Sequence, residues 1–243
     1  MPGIEFSALS ERGLRTQNDD AFCAEKFGNY YFLFAIASGL ASHPYGGLAS
    51  MTALAALIET VKNTKAPARD ILLAGIRKAD AEVRAISTLP EHTGLTTKIV
   101  AGLIDDNRNC TILDIGNRNC TIITGSTIGH AADTARSRQP PGARQSSSAA
   151  PKPPALSDMI SHVLGPPYRI RETDVSEFVL GDEFLLLSSD GLTGSVNDET
   201  IAAIVRKNGN NLAVSCEKLV QEAMNAGSEN TITVVLVQGT GKT

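Results

Sequence analysis

The sequence predicts an α+β fold with antiparallel sheets. Strand-like segments occur in consecutive runs and helical segments in consecutive pairs, whereas a parallel sheet would require strands and helices to alternate. The 243 residues suffice for a full hydrophobic core, and the shares of 42% hydrophobic and 20% charged residues are those of an ordinary globular protein. We therefore expect residues 1–243 to form a single packed domain.

The first part of the chain predicts two strands followed by two helices. Residues 4–9 and 30–37 are strand-like, and the second segment is a nearly unbroken apolar run, which is typical of a strand buried on both faces. From Gly47 to Val61, and again from residue 71 to residue 83, apolar residues recur at helical spacing. These two helices are expected to form a layer over a sheet.

The middle of the chain predicts strands and then an irregular segment. Residues 96–124 read as strands with tight turns, and the sequence Asn-Arg-Asn-Cys-Thr-Ile occurs twice in this stretch, which a β-meander explains better than a solenoid does. Residues 126–155 are rich in Ser, Ala, Pro, Gly and Arg and contain few large apolar side chains. Such a segment cannot offset the entropy of ordering, so we expect a mobile surface loop.

The last part of the chain predicts a short helix at 156–164, two strands near 172–179 and 184–188, and then two helices and a final strand. Asn197 is a good N-cap for the first of these helices, with acidic residues in its first turn. The second helix carries an apolar stripe from Leu212 to Ala223, and Gly227 is placed to cap its C-terminus. A β-branched strand is expected at 231–237.

Composition excludes several classes of function. The net charge of −4 and a pI near 5.6 provide no basic footprint for nucleic acid. The four cysteines show no C-x-x-C spacing, which favours buried free thiols over disulfides or zinc. No apolar run reaches the roughly 20 residues of a membrane span, and the N-terminus lacks a basic and apolar leader. We expect a cytoplasmic protein without a membrane or nucleic-acid partner; the oligomeric state is not specified.

Acidic residues stand next to strand-like segments at separated places in the chain. Asp19 and Asp20 follow Arg15, Asp190 follows a buried strand, and Glu229 precedes the last strand. Each of these residues alone is typical of a turn. In combination they suggest a metal site built from loops on a rigid sheet.

In their order along the chain these segments resemble the PPM (protein phosphatase 2C) family of metal-dependent protein serine/threonine phosphatases. The resemblance covers nearly the whole chain and is strongest in its second half. The matching segments are Arg15 with Asn18-Asp19-Asp20, Ser38-Gly39 with His43 and Gly46-Gly47, Gly94-Leu95-Thr96-Thr97, Gly116-Asn117-Arg118-Asn119, Gly181-Asp182, Ser189-Asp190-Gly191-Leu192, and Gly227 with Glu229-Asn230 and Thr233-Val234-Val235.

The resemblance implies a four-layer α-β-β-α sandwich, in which two antiparallel sheets pack face to face and a helix pair covers each outer side. It also implies two Mg²⁺ or Mn²⁺ ions that share an attacking water, with a carboxylate between them. It assigns phosphate binding and catalysis to Arg15 and a catalytic role to Asp20. The implied metal ligands are Asp19, Asp20, the Gly39 carbonyl, Asp190 and Glu229.

Two positions depart from the family pattern. Ser38 stands where the bridging Asp is expected, and Asn117 stands where relatives carry an Asp that helps to hold a third ion. A neutral hydroxyl is a weak ligand for a hard dication, so Ser38 removes a full negative charge from between two ions. Glu229 keeps the charge of its family position but moves it by one methylene. We expect at most one tightly bound ion.

The leading hypothesis is therefore a weak or inactive phosphatase homologue that binds a protein phosphorylated on Ser or Thr, or regulates a partner. One alternative is an active phosphatase that uses a reduced metal site. Another is a metal-free interaction scaffold that uses the loop at 126–155, whose basic residues are Arg136, Arg138, Arg144 and Lys152. His43 is a further candidate acid, although a structural role is the simpler interpretation.

Overall fold

The computed structural model describes residues 3–28, 30–40, 43–115, 119–131, 163–166 and 175–240. These residues form two five-stranded antiparallel sheets. Sheet A has the strand order β1-β10-β9-β6-β7, and sheet B has the order β2-β3-β4-β5-β8. The strands are β1 (Ile4–Glu11), β2 (Asp20–Phe27), β3 (Tyr31–Gly39), β4 (Thr97–Asp105), β5 (Asn109–Ile115), β6 (Cys120–Ile123), β7 (Ile128–His130), β8 (Val175–Val179), β9 (Phe184–Ser188) and β10 (Ile232–Gly239).

Helices cover both outer faces of the two sheets. Helices α1 and α2 pack on sheet B, whereas α4 and α5 pack on sheet A. A single turn, α3, directly follows β9, and a short 3-10 turn at Pro90–His92 follows α2. The helices are α1 (Gly46–Asn63), α2 (Ala68–Ile86), α3 (Asp190–Thr193), α4 (Asp198–Asn208) and α5 (Leu212–Asn225). The predicted α+β sandwich with four layers is confirmed.

The hydrophobic core lies in three layers, and strand β3 contributes to two of them. Phe32, Phe34 and Ile36 point between the sheets, while Leu33 and Ala35 point toward α1 and α2. Successive side chains of a strand alternate between its faces, so a strand covered on both sides must be apolar throughout. This confirms the interpretation of the apolar run at residues 30–37.

Local capping signals fix the helices near the C-terminus. The Asn197 side chain accepts a hydrogen bond from the backbone N–H of Thr200 at 2.9 Å, which is the predicted N-cap of α4. Gly227, with φ of +79°, follows the end of α5. The backbone N–H of Ser228 donates to the Ala223 carbonyl at 3.0 Å, so the predicted glycine cap is present.

Three features of the sheets differ from the sequence-based expectations. Strand β2 was not predicted, because it is an edge strand with polar residues such as Glu25 and Lys26 among its apolar ones. The expected meander is wrong beyond β5, since β6 crosses to sheet A and pairs with β7 and β9. The segment predicted as a loop from residue 126 begins with the short strand β7.

Several expectations can be compared with the described residues only. All four cysteines are buried and free, as predicted. Within the described ranges, no helix is both long enough and apolar enough to cross a bilayer. Asn117, residues 132–155 of the expected loop, and most of the expected helix at 156–164 lie outside the described residues.

Candidate functional site

A cavity of about 150 Å³ lies where strands of both sheets end. Strand β3 ends and β4 begins at this edge of sheet B, while β9 ends and β10 begins at the facing edge of sheet A. The residues that line the cavity are Arg15, Asp19, Ser38, Gly39, Leu40, Lys98, Asp190, Gly191, Asn230 and Thr231. Residues distant in sequence thus share one small polar opening.

Two glycines allow the chain segments around the cavity to approach closely. A Cβ atom at Gly39 would collide with the backbone of Gly46 at the start of α1. A Cβ atom at Gly191 would collide with the Thr231 carbonyl group just before β10. Both glycines are therefore required by contact, because any side chain would push the walls apart.

Asp19 is held in place by three groups. Its Oδ1 accepts hydrogen bonds from the Gln17 side-chain amide at 3.0 Å and from the backbone N–H of Gly47, in the first turn of α1, at 3.2 Å. Its Oδ2 lies 3.4 Å from an Arg15 guanidinium nitrogen. The carboxylate is thus fixed by a helix N-terminus, which favours negative charge, and by a cation.

Arg15 lies at the mouth of the cavity. Its side chain is 28% exposed and forms the ion pair with Asp19 across four residues. A guanidinium group presents a planar fork of donors that matches phosphate oxygens, so Arg15 is suited to hold an incoming phosphate group.

Asp20 is buried under the cavity and is not part of its wall. Its Oδ2 accepts a hydrogen bond from the Thr233 hydroxyl at 2.7 Å, and that hydroxyl lies 2.7 Å from the Ser10 hydroxyl. Burial raises the pKa of Asp20, and hydrogen bonding from neighbouring hydroxyl groups opposes this shift in part. Asp20 therefore ties β2 to β10 at the base of the site.

Lys98 crosses the cavity and forms an ion pair with Asp190. The distance from Lys98 Nζ to Asp190 Oδ2 is 2.6 Å, and the two side chains are 21% and 51% exposed. Sequence analysis did not select Lys98. The signal in the sequence was a lysine directly before the apolar run at residues 99–104, where a charged side chain is uncommon unless it has a partner.

The structure brings most of the predicted site residues together, but Asp20, Glu229 and His43 are not among the residues that line the cavity. Arg15, Asp19, Ser38, Gly39 and Asp190 all line the cavity, and Asp20 is the cross-strand partner of Ser38. Glu229 is exposed and is not among the lining residues, whereas its neighbour Asn230 is.

His43 also lies outside the cavity lining. Its Nδ1 accepts a hydrogen bond from the backbone N–H of Tyr45 at 3.2 Å, and its Nε2 lies 3.3 Å from the Thr93 carbonyl oxygen. Both ring nitrogens therefore contact the backbone, which favours the structural interpretation of His43.

The side chains of the cavity do not fit a divalent ion as they stand. Among the residues that the structure describes, no group of three or more His, Cys, Asp or Glu side chains is arranged to hold a metal ion. Asp19 faces Arg15 and Asp190 faces Lys98, so each carboxylate on the wall already has a cationic partner. Hard dications prefer several anionic oxygens without competing cations.

Comparison with known proteins finds relatives among the serine/threonine phosphatases. The family model described as "Protein phosphatase 2C" matches residues 167–232. The serine/threonine protein phosphatase PstP of Mycobacterium tuberculosis is 28% identical over 248 residues, which covers 96% of this chain and 44% of PstP. A protein kinase and PP2C-like domain-containing protein of Arabidopsis thaliana is 38% identical over 68 residues, 27% of this chain and 10% of that protein. The chain thus spans less than half the length of these relatives.

Solved structures share the fold over nearly the whole chain. The catalytic domain of PstP in complex with two manganese ions has a TM-score of 0.77 at 22% identity, with 98% of this chain and 99% of that one covered. The serine/threonine phosphatase of S. agalactiae has a TM-score of 0.79 at 20% identity, with 97% and 99% covered. At these identities the likeness shows the fold.

The four-layer sandwich, with a polar cavity where the strands of both sheets end, has the fold of the solved serine/threonine phosphatases. The sequence matches agree with this class. The chain is thus similar to the protein phosphatase 2C, or PPM, phosphatases, in sequence to the family model over residues 167–232 and to PstP over 96% of its length, and in fold to solved phosphatases over nearly its whole length.

Proposed function

We propose that this chain is a PPM phosphatase homologue with little or no hydrolase activity, and that its cavity binds phosphorylated Ser or Thr residues of a partner protein. The observation that carries the proposal is Ser38 on the wall of the cavity, where the family resemblance implies a bridging carboxylate. Hydrolysis in this family needs a water activated between two dications, and a hydroxyl group supplies no charge to hold them together.

The remaining residues support binding better than hydrolysis. Arg15 offers its guanidinium fork at the mouth of the cavity, and Lys98 adds a second cation inside it. Asp19 and Asp190 are engaged by these cations, which leaves Mg²⁺ or Mn²⁺ at most one weak position. The cavity of about 150 Å³ suits a compact group such as a phosphomonoester.

We place this function in the cytoplasm. Four buried free cysteines fit a reducing compartment, where thiols remain unpaired.

Two measurements test the proposal. The first is turnover of an aryl phosphate by the purified protein in excess Mn²⁺, for which we expect a rate near that of the uncatalysed control. Turnover comparable to that of an ordinary family member would refute the inactive assignment and favour a hydrolase with a reduced metal site.

The second measurement is binding of a phosphoserine peptide by calorimetry, with the unphosphorylated peptide as reference. We expect Arg15→Gln to weaken phosphopeptide binding at least tenfold, because a charge-assisted bidentate contact is lost. Arg69→Gln is the matched control, since Arg69 is a surface arginine that pairs with Glu177 at 3.7 Å. Equal affinity for both peptides would contradict phosphate recognition.

A further inference from the structure

Three side chains lie side by side across sheet B at the edge of the cavity. The register pairs Asp20 of β2 with Ser38 of β3, and Ser38 with Lys98 of β4. Directly opposed residues of antiparallel strands project from the same face with their Cβ atoms about 4.5–5.5 Å apart. Lys98 is therefore the immediate neighbour of Ser38, the position where the family pattern needs its central carboxylate.

From this position the Lys98 side chain reaches the other sheet. It starts on β4 of sheet B and ends 2.6 Å from Asp190, which follows β9 of sheet A. Both residues line the cavity, so the ion pair spans the opening between the two sheets. The Lys98 ammonium group thus lies where a metal ion bound by the Asp190 carboxylate would be expected.

We propose that the Lys98 ammonium group is the resident cation of this cavity and excludes a divalent ion from it. A dication bound by Asp190 would have to displace Lys98 from the carboxylate and then remain beside a like charge. Ser38 provides no anion to offset that repulsion. The inference rests on the proposed function only in treating the cavity as the former metal site; it makes no assumption about the phosphorylated partner.

The simpler interpretation is that Lys98 and Asp190 form an ordinary surface ion pair, and the structure distinguishes this interpretation from the proposal. Exposed ion pairs usually contribute little to stability. Lys98 is only 21% exposed, lies in a cavity and faces the same carboxylate that a metal would use. Its removal should therefore change metal affinity and not only stability.

The test is a calorimetric titration of the full chain with Mn²⁺ alone, in the absence of any phosphate compound. We expect very weak or undetectable binding by the wild-type protein, and at least tenfold tighter binding by Lys98→Met, which keeps the aliphatic stem and removes the charge. Asp190 is 51% exposed and remains hydrated when unpaired, so the variant should fold. A thermal melt checks this.

Lys78→Met is the matched control. Lys78 also pairs closely with one carboxylate, at 2.8 Å from Glu59, but it lies on the helical surface and does not line the cavity. We expect its Mn²⁺ affinity to equal that of the wild-type protein.

Two results would overturn the inference. Micromolar Mn²⁺ binding by the wild-type protein would do so without any variant, and so would a folded Lys98→Met protein with unchanged Mn²⁺ affinity. Neither result depends on turnover. If the wild-type protein binds Mn²⁺ weakly, Lys98→Met binds it more tightly, and the phosphopeptide does not bind, this inference is upheld and the proposed partner is refuted.

Discussion

Introducing at position 38 the carboxylate that the family resemblance implies should not by itself create a metal site. In a Ser38→Asp protein the new carboxylate would stand between Asp20 and Lys98 in the ladder of sheet B. Lys98 faces position 38 in the register of β3 and β4, and its ammonium group already contacts Asp190. We therefore expect the introduced Asp to form an ion pair with Lys98, so that the double variant Ser38→Asp, Lys98→Met is required.

The size of the Lys98 effect follows from its charge. Two unit charges about 4 Å apart interact by about 1 kcal/mol in bulk water and about 4 kcal/mol at an effective dielectric constant near 20. A dication doubles these values, so Lys98 opposes it by about 2 to 8 kcal/mol. Because Asp190 is half exposed, the lower end applies, and about 2 kcal/mol corresponds to roughly 30-fold in affinity.

The assay compares four proteins: wild type, Ser38→Asp, Lys98→Met and the double variant. Calorimetry with Mn²⁺ gives the affinity and the number of ions, and an aryl phosphate gives turnover. We expect the double variant to exceed the product of the two single effects, since each substitution removes an obstacle that the other leaves in place. If Ser38→Asp alone binds Mn²⁺ and turns over substrate as well as the double variant, Lys98 does not govern the site.

Three further predictions concern the fold. Asp20→Asn should raise the melting temperature at neutral pH. The pKa of Asp20 is raised in the folded protein, so ionisation of this carboxyl group destabilises the folded state as the pH increases above its ordinary pKa of 3.8. The gain should vanish in acid, and thermal melts at several pH values check this. Gly102→Ala should cost about 1–3 kcal/mol in a urea denaturation, since its Cβ would collide with the Phe34 ring between the sheets. Cys110 and Cys120 should not react with a thiol reagent at pH 8 until the protein is denatured, because complete burial raises the pKa of both thiols; rapid labelling of the native protein would contradict this.

The elements that the sequence predicted well are those specified by local signals. Asn197 caps α4 through a hydrogen bond to a residue three positions away, and Gly227 ends α5 through its own backbone conformation. The burial of β3 on both faces likewise follows from the apolar composition of the strand itself. Such features need no knowledge of the rest of the chain.

The features that were missed depend on partners distant in sequence. Strand β2 is polar enough to read as a loop and becomes a strand by pairing with β3. Strand β6 joins sheet A because of its pairing with β9, although its sequence repeats that of β5. Lys98 and Asp190 are 92 residues apart, so only the packing of one sheet on the other shows that the lysine meets the carboxylate.

In the candidate site, too, the sequence predicted some residues correctly and missed the orientation of others. The family pattern predicted that Arg15, Asp19 and Asp190 lie near one another, and all three line the same cavity. The orientation of Glu229 was not accessible from the pattern, because it is set by the turn between α5 and β10, where Asn230 faces the cavity instead.

The charges at positions 38 and 98 change the cavity in the same direction. Compared with a cavity that held Asp at 38 and an uncharged side chain at 98, this chain lacks one negative charge and gains one positive charge on adjacent strands. The sum of these two differences equals the charge of one divalent ion. A cavity with the carboxylates Asp19 and Asp190 thus reaches charge balance with its own Arg15 and Lys98. Protein cations carry out the neutralisation that a metal ion would otherwise provide, but they cannot lower the pKa of a bound water as a metal does. Under the proposed function, the arrangement that makes a metal ion unnecessary for the stability of the cavity also removes the source of a nucleophile.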